Sequence, residues 1–237
     1  MKTIGLLGGM SWESTAVYYS VANQLVRDRL GGLNSAKILL DSLNFAEVAQ
    51  LQRTDEWDQA AEVLARHAQG LERAGADMIL ICTNTMHLLY DNVQEAVTVP
   101  VLHIGDTVAA AVRNQSLQKV GLLGTAFTME KDFYRERIAS HGLEVIVPEP
   151  ADRALVHRAI FEELAVGIIS ESTRTMFQRI MADLVAAGAQ GIVLGCTEIE
   201  LLVHEEDCSV PVFPTARIHI ETAVNAAMRE AATSEPQ

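Results

Sequence analysis

Hydrophobic and polar positions follow two recurring patterns along the chain. Short apolar runs bounded by glycine or polar residues are typical of strands that are buried on both faces of a sheet. Longer stretches with apolar residues three and four positions apart predict amphipathic helices. The strand pattern occurs at 3–7, 36–43, 77–81, 99–104, 119–124, 143–149, 191–195 and 210–214, and the helical pattern at 14–30, 55–75, 128–142 and 172–189. Strands alternating with long helices predict right-handed βαβ units and parallel sheets.

The first half of the chain returns in the second half. IGLLGG at 4–9 returns as VGLLGT at 120–125, GADMILICT at 75–83 as GAQGIVLGC at 188–196, and VPVLHI at 99–104 as VPVFPT at 210–215. The matches have the same order and similar spacing. They predict an α/β fold of two pseudo-symmetric lobes, each with a parallel sheet flanked by helices, and an active site in the cleft between them. We expect residues 1–104 to form the first lobe, 105–212 the second, and 213–237 to return to the first.

When the two halves of the chain are aligned, Thr83 corresponds to Cys196. Ligands of open parallel sheets bind beyond the carboxyl ends of the strands, where Met10, Thr83, Thr125 and Cys196 are all expected. A single cysteine at such a position is more often a small buried hydrophobic residue than a nucleophile. The duplication favours a functional role, because two such turns that face each other would present reactive groups to both sides of one ligand. Amides at the start of a following helix are expected to lower the pKa of the Cys196 thiol.

Composition and charge narrow the function classes. Eighteen basic against 31 acidic residues give a formal net charge of −13, which repels phosphate backbones and argues against a nucleic-acid partner. Any acidic ligand must be held by local donors. The three cysteines form no CxxC pair, so we expect a reducing compartment, with no disulfide framework and no metal site. No apolar run reaches the roughly 18 residues that a membrane span requires, and no secretory signal is recognisable, so we expect a cytoplasmic protein without a membrane partner.

Cofactor motifs are not recognisable in the sequence. GLLGGMS at 5–11 follows a strand and opens a helix, but it has neither the spacing of a dinucleotide-binding loop nor the Lys-Ser/Thr of a phosphate-binding loop. Its glycines fit a tight turn, or they offer backbone amides to a small anion, with Ser11 as a helix N-cap. A lysine motif for pyridoxal phosphate is also not recognisable. We therefore expect no cofactor.

Taken together, GLLGGMSWEST, CTNTMH, GLLGT with FTM, and GCTEI resemble the aspartate/glutamate racemase superfamily, and the resemblance covers essentially the whole chain. It implies the two-lobed fold, a homodimer and racemisation of a small amino-acid or dicarboxylate substrate without a cofactor. It also implies that one cysteine removes the Cα proton while a second delivers a proton to the opposite face.

The chain departs from the usual first motif, Cys-Asn-Thr. Thr83 stands at the position of the catalytic cysteine, Asn84 and Thr85 match, and Cys82 comes one residue early. The resemblance is to a subgroup with the same motifs, described as racemases of acidic amino acids that prefer the L enantiomer. It thus assigns catalysis to Thr83 and Cys196. It assigns substrate binding to Met10, Gln52, Arg53, Asn84, Thr85, Thr125, Thr197 and Glu198.

Two other functions stay open at this point. A decarboxylase or isomerase of small diacids in the same superfamily would need only Cys196, and a non-catalytic protein that binds small acids would need neither reactive group. Two smaller expectations concern His87 and the C-terminal end. His87, one helical turn past Thr83, has two open roles, to orient the turn or to pack, and we expect packing. The segment 231–237 should be disordered.

Overall fold

The structure, a computed structural model, describes residues 1–232 and divides into two compact units. The first unit contains Met1–Ile104 together with the chain from His219 onward, and the second contains Gly105–Ile218. Each unit has its own four-stranded sheet, and every strand pair is parallel. The predicted α/β fold class, with a helix-flanked parallel sheet in each half, is confirmed.

The first unit is built around β1, which is buried along its whole length and lies between β2 and β3. Its strand order is β2-β1-β3-β4. The longest helices cover the sheet with apolar faces, and that of α3 consists of Ala60, Leu64, Ala68 and Leu71 at helical spacing. The elements are β1 (Ile4–Gly8), α1 (Trp12–Leu30), β2 (Ile38–Ser42), α2 (Phe45–Arg53), α3 (Trp57–Arg73), β3 (Met78–Ile81), α4 (Tyr90–Glu95) and β4 (Val101–Leu102).

The second unit repeats this plan with the strand order β6-β5-β7-β8. Its elements are α5 (Ile104–Asn114), β5 (Lys119–Gly124), α6 (Ala126–Glu130), α7 (Asp132–Ala139), β6 (Glu144–Ile146), α8 (Pro150–Glu162), α9 (Glu171–Ala186), β7 (Ile192–Gly195) and β8 (Val212–Pro214). Helix α10 (Thr215–Ala232) begins in this unit and continues into the chain segment of the first. Short 3-10 helices occupy Thr85–Leu89, Leu164–Val166, Thr197–Leu201 and Glu205–Asp207.

The internal repeat is visible in the strand register. Gly5 pairs with Ile79 in the first sheet, and Gly121 pairs with Ile192 in the second. The turns that lead into β3 and β7 both contain a glycine with φ of +98°, at Gly75 and Gly188. The two copies therefore align without a shift, and the position of Thr83 in its unit is equivalent to that of Cys196 in the other.

The predicted strands are all found, with ends within a few residues, whereas the helices are less complete. The helix predicted at 128–142 is divided into α6 and α7, because Lys131 has an extended backbone with φ −78° and ψ 144°. Helices α2, α4, α5, α8 and α10 were not predicted. Strand β8 pairs with β7 in the second sheet, so the segment that returns to the first unit begins at His219 rather than at 213.

The C-terminal segment is described only in part. Residues 231 and 232 belong to α10, so the disorder expected there is wrong for these two, and 233–237 lie outside the described residues. None of the helices within the described range is both long and apolar enough to span a bilayer.

The glycine pair after β1 serves a close turn. Gly9 has φ of +83°, and a Cβ added there would lie 2.1 Å from the carbonyl oxygen of Leu43. The Gly9 amide donates to Oγ1 of Thr15 at 2.8 Å, and the Leu43 amide donates to the carbonyl of Gly8 at 3.0 Å. Ser11 caps α1 by accepting from the Ser14 amide, as predicted. The Gly9 amide is thus used inside the protein rather than offered to an anion.

We expect Gly9→Ala to destabilise the protein more than Gly75→Ala does. Both glycines have positive φ, which costs a residue with a side chain about 1 kcal/mol or more, but a Cβ at Gly75 meets nothing within 4 Å. Gly9→Ala adds a clash with backbone atoms, so its total cost should reach about 3 kcal/mol. Urea denaturation followed by circular dichroism measures the free energy of unfolding of both variants. Equal losses of stability in the two variants would contradict the packing role of Gly9.

Candidate active site

In the first unit, the candidate residues follow the carboxyl ends of adjacent strands. Leu7 of β1 pairs with Ile81 of β3, and the amide of Cys82 donates to the Leu7 carbonyl at 2.9 Å. The chain then turns at Thr83 into the 3-10 helix Thr85–Leu89. Thr83 is half-buried, whereas Cys82, Asn84 and Thr85 are buried. Among the described residues, no hydrogen bond involves the Thr83 hydroxyl, so this group is available for chemistry.

Cys82 occupies the core instead. Its side chain has no exposed surface, and its Sγ lies 3.7 Å from the carbonyl oxygen of Leu80. Burial raises the pKa of this thiol far above its ordinary value. Cys82 and Thr83 lie in the bend that follows β3, and they differ in exposure: Cys82 is buried and Thr83 is half-buried.

Gln52 and Arg53, which the sequence groups together, are separated by the structure. Gln52 is 8% exposed and donates from Nε2 to the sulfur of Met86 at 2.9 Å. Met10 is also buried, in the same apolar cluster as Met86. Arg53 is exposed and donates to Oε1 of Gln50 on the same helix. The structure thus brings Met10, Gln52 and the segment after β3 together, and it leaves Arg53 outside.

In the second unit, Thr125 and Cys196 follow paired positions of adjacent strands, because Gly124 of β5 pairs with Gly195 of β7. Thr125 is the N-cap of α6, and its hydroxyl accepts from the Thr128 amide at 3.3 Å. Nδ1 of His157 accepts from the Ala126 amide at 3.1 Å, so this imidazole holds the turn after Thr125. Sequence reasoning missed His157, because nothing near it in the chain connects it with β5.

Cys196, Thr197 and Glu198 form one buried hydrogen-bonded group. Sγ of Cys196 donates to Oε2 of Glu198 at 2.9 Å, and the hydroxyl of Thr197 donates to the same oxygen at 3.0 Å. Burial, and after it the negative charge of Glu198, raise the pKa of the Cys196 thiol well above its ordinary value. The expected lowering of this pKa is therefore wrong. Only a short 3-10 helix follows Cys196, and the carboxylate beside the sulfur outweighs its amides.

A second carboxyl group near Cys196 was not predicted. Glu200 is largely buried, and burial, the largest cause, raises its pKa to about 7. Nε of Arg217 lies 4.0 Å from Oε2 of Glu200 and partly offsets this effect. The sequence offers no signal for Glu200, since acidic residues are frequent along the whole chain.

Each unit has groups at its strand ends that suit acid–base chemistry. The first unit has the amides of Gln52 and Asn84 and the hydroxyls of Thr83 and Thr85, and the second has the thiol of Cys196, the carboxylate of Glu198 and the hydroxyls of Thr125 and Thr197. Within the part of the chain that the structure describes, no group of three or more His, Cys, Asp or Glu side chains is placed to hold a metal ion.

The sequence profile of Asp/Glu/hydantoin racemases matches residues 7–223. The chain belongs to the Asp/Glu/hydantoin racemase family. It is similar to a crystallised protein from Yersinia pestis, a proposed Asp/Glu racemase, with 51% identity, a TM-score of 0.91 and coverage of 96% of this chain and 100% of the other. An aspartate racemase homologue from Pyrococcus horikoshii shares 37% identity with a TM-score of 0.85 over 96% and 99% of the two chains.

A curated relative extends this result to an enzyme. The broad specificity amino-acid racemase RacX of Bacillus subtilis is 22% identical over 225 residues, which cover 94% of this chain and 96% of RacX. The family recognised from the sequence motifs is confirmed, and so is the enzyme class, an amino-acid racemase, at the level of the family.

Glu198→Gln should lower the pKa of the Cys196 thiol, because it removes a negative charge that disfavours the thiolate while it preserves an oxygen that can accept from Sγ. The check is the pH dependence of alkylation by a small reagent, followed by mass spectrometry of the peptide that contains Cys196. The peptide that contains Cys208 is the internal control. An unchanged or higher thiol pKa would show that burial alone controls Cys196.

Proposed function

We propose that the protein is an amino-acid racemase that acts on aspartate or glutamate without a cofactor. Cys196 removes or returns the Cα proton on one face, and Thr83 serves the opposite face. The observation that carries this proposal is the equivalence of Thr83 and Cys196 in the two units, each just past the carboxyl end of an inner strand. Family membership and relatives described as aspartate or Asp/Glu racemases support the reaction and the substrate class.

The pairing with Glu198 indicates how Cys196 would act. At rest the proton is on sulfur, since burial and the nearby carboxylate disfavour the thiolate. The thiol proton would pass to Oε2 of Glu198, which is 2.9 Å away, and the resulting thiolate would take the Cα proton. Glu198 is also the expected partner of the substrate ammonium group. Because the transfer moves the negative charge from Oε2 to Sγ, the ammonium group favours the thiolate when it lies closer to Sγ than to Oε2. A substrate bound in that position would activate the base.

Thr83 is suited to donate a proton to the carbanion but not to remove the Cα proton. A threonine hydroxyl is far too weakly acidic to wait as an alkoxide, but it can pass a proton to a carbanion and recover one from water. Cys196 would therefore start the reaction for one enantiomer, which the subgroup resemblance suggests is L, while the other enantiomer meets a poor base. Hydrogen bonds from Asn84, Thr85 and Thr125 to the substrate α-carboxylate would stabilise the carbanion. Thr197 would join them once its hydroxyl turns from Glu198 to the substrate.

Gln52 is the favoured contact for the distal carboxylate. It is buried beside the segment after β3, and the chain net charge of −13 gives an acidic substrate no long-range attraction. Arg53 would have to leave Gln50 to take part.

We expect the enantiomer that faces Cys196 to exchange its Cα proton with heavy water faster than it inverts. Proton NMR follows exchange, and chiral chromatography follows inversion. Thr83→Cys should raise the rate for the slow enantiomer most, because it places a thiol on the second face. Equal exchange and inversion of both enantiomers in the wild type, with no selective gain in Thr83→Cys, would disprove the one-sided mechanism.

The cysteine assignment has matched controls. Cys196→Ser should lower turnover by about 10³-fold or more, whereas Cys208→Ser, in a loop without a counterpart in the repeat, should leave it nearly unchanged. Cys82→Ala tests the rival assignment, in which Cys82 rather than Thr83 is the second catalytic residue. A loss of turnover without a loss of stability in this variant would favour Cys82.

Gln52→Ala should raise KM for dicarboxylate substrates about tenfold or more, as expected for a lost hydrogen bond to a charged group, and should change KM for alanine far less. Glu47→Gln is the control on the same helix, since Glu47 is exposed and its carboxylate accepts from Asn44 rather than from Arg53. Arg53→Ala completes the set. Equal effects of Gln52→Ala on both substrate classes would remove Gln52 from the site.

The absence of a cysteine at position 83 also fits a decarboxylase or isomerase that needs only Cys196. Release of carbon dioxide from malonate-like diacids, without Cα exchange in amino acids, would identify a decarboxylase, and tight binding without turnover would identify a binding protein. The homodimer and the cytoplasmic location stay predictions.

A further inference from the structure

His87 links two strand ends through a single imidazole. The ring is 2% exposed and lies in the 3-10 helix that follows Thr83. Its Nδ1 is 2.8 Å from the carbonyl oxygen of Thr83, and its Nε2 is 3.1 Å from the backbone nitrogen of Ile104. Ile104 is the first residue of α5, directly after the β4 end of the sheet. His87 therefore connects the turn after β3 with the turn after β4.

The two partners determine the tautomer. A backbone N–H can only donate and a backbone carbonyl can only accept, so Nε2 must carry the lone pair and Nδ1 must carry the proton. His87 is thus a neutral imidazole in the Nδ1–H form, with both nitrogens engaged. Of the two roles left open for His87, these hydrogen bonds favour orientation of the turn over packing alone, because the ring holds the backbone of the candidate catalytic threonine.

Other rings hold His87 in place. The His103 ring centroid is 4.7 Å from that of His87, and the His219 centroid is 5.7 Å away. His219 accepts from the Tyr18 hydroxyl at Nδ1 and donates from Nε2 to the Leu102 carbonyl, both at 2.9 Å. Burial, with the neighbouring His87 as a smaller cause, lowers the pKa of His219 to about 3. A cluster so enclosed restricts rotation of the His87 ring.

We propose that His87 is a positioning residue for Thr83: its Nδ1–H holds the Thr83 carbonyl, and the Ile104 amide holds the ring by its other nitrogen. This inference rests on the proposed function. It accounts for how the backbone that carries the Thr83 hydroxyl is held, although no hydrogen bond to that hydroxyl is found among the described residues. The carbonyl of the same residue is anchored, and the preceding Cys82 amide is fixed to β1. Displacement by about 1 Å can cost roughly 10²-fold in rate.

Two amide variants separate the two hydrogen bonds. The amide nitrogen of Asn is attached to Cγ, as Nδ1 of His is, so His87→Asn can still donate to Thr83. The carbonyl oxygen of Gln lies one bond further out, near the place of Nε2, so His87→Gln can still accept from Ile104 but loses the donor to Thr83. The pair tests which end of the bridge matters to Thr83.

The readout is the ratio of inversion to Cα exchange. His87→Gln should lower inversion by roughly 10²-fold while the exchange of the enantiomer that faces Cys196 changes less than about threefold, because Cys196 belongs to the other unit. His87→Asn should restore inversion to within about tenfold of the wild type. Equal loss of exchange and inversion in both variants would mean a structural role only, and the proposed racemase activity would stand.

The tautomer of His87 can be measured directly on the wild-type protein. Nitrogen-15 NMR of the ring that shows contacts to Thr83 and Ile104 should find Nδ1 protonated and Nε2 unprotonated. A protonated Nε2 would overturn the inference whether or not the protein is a racemase. Absence of both exchange and inversion in the wild type would instead refute the proposed function, and with it the positioning role, even if the tautomer is as expected.

Discussion

The register of the inner strand pair in each sheet determines where the candidate side chains lie. In both pairs a glycine permits the close approach: a Cβ on Gly5 would be 2.9 Å from the Cβ of Ala76, and a Cβ on Gly121 would be 2.9 Å from Cδ1 of Ile192. A slip of one residue would turn every side chain of a strand to the other face. It would also move Cys82 and Thr83, which directly follow β3, out of their present surroundings. The active-site hypothesis therefore depends on backbone pairing before it depends on any catalytic group.

The strands were predictable from sequence because burial on both faces produces continuous apolar runs, as in IGLLG of β1. Two of the missed helices have weak patterns: α8 has almost no segregation of apolar and polar residues, and α10 mixes alanines with charged residues. Helices α2 and α5 have clear apolar faces but are short, with 9 and 11 residues. The equivalence of Thr83 and Cys196 was also predictable, since it follows from the repeat and is reproduced by the register. A local sequence motif does not reveal hydrogen-bond partners that are distant in the chain. The bond of Ile104 to His87, and that of His157 to the turn after Thr125, could therefore be found only from the structure.

The charges around Cys196 raise the pKa of its thiol, whereas its position at a strand end suggests a lowered pKa. The general expectation that such a turn acidifies a thiol considers backbone amides alone, but the side chain of Glu198 turns back onto the sulfur. Glu200 adds a second, largely buried carboxyl group, whose pKa burial raises to about 7. Burial and these carboxyl groups together keep the proton on the Cys196 thiol in the unliganded protein.

Separate sheets with separate apolar cores have an evolutionary consequence. Each inner strand pair is stabilised within its own unit, so the residue just past β3 can change without disturbing the register of β7, and the reverse also holds. A duplicated ancestor with the same reactive group in both halves could therefore diverge one half at a time while it kept its fold. In such a lineage, loss of a thiol on one side would change stereochemical preference before it changed stability, and new chemistry could arise from an intermediate that still folds.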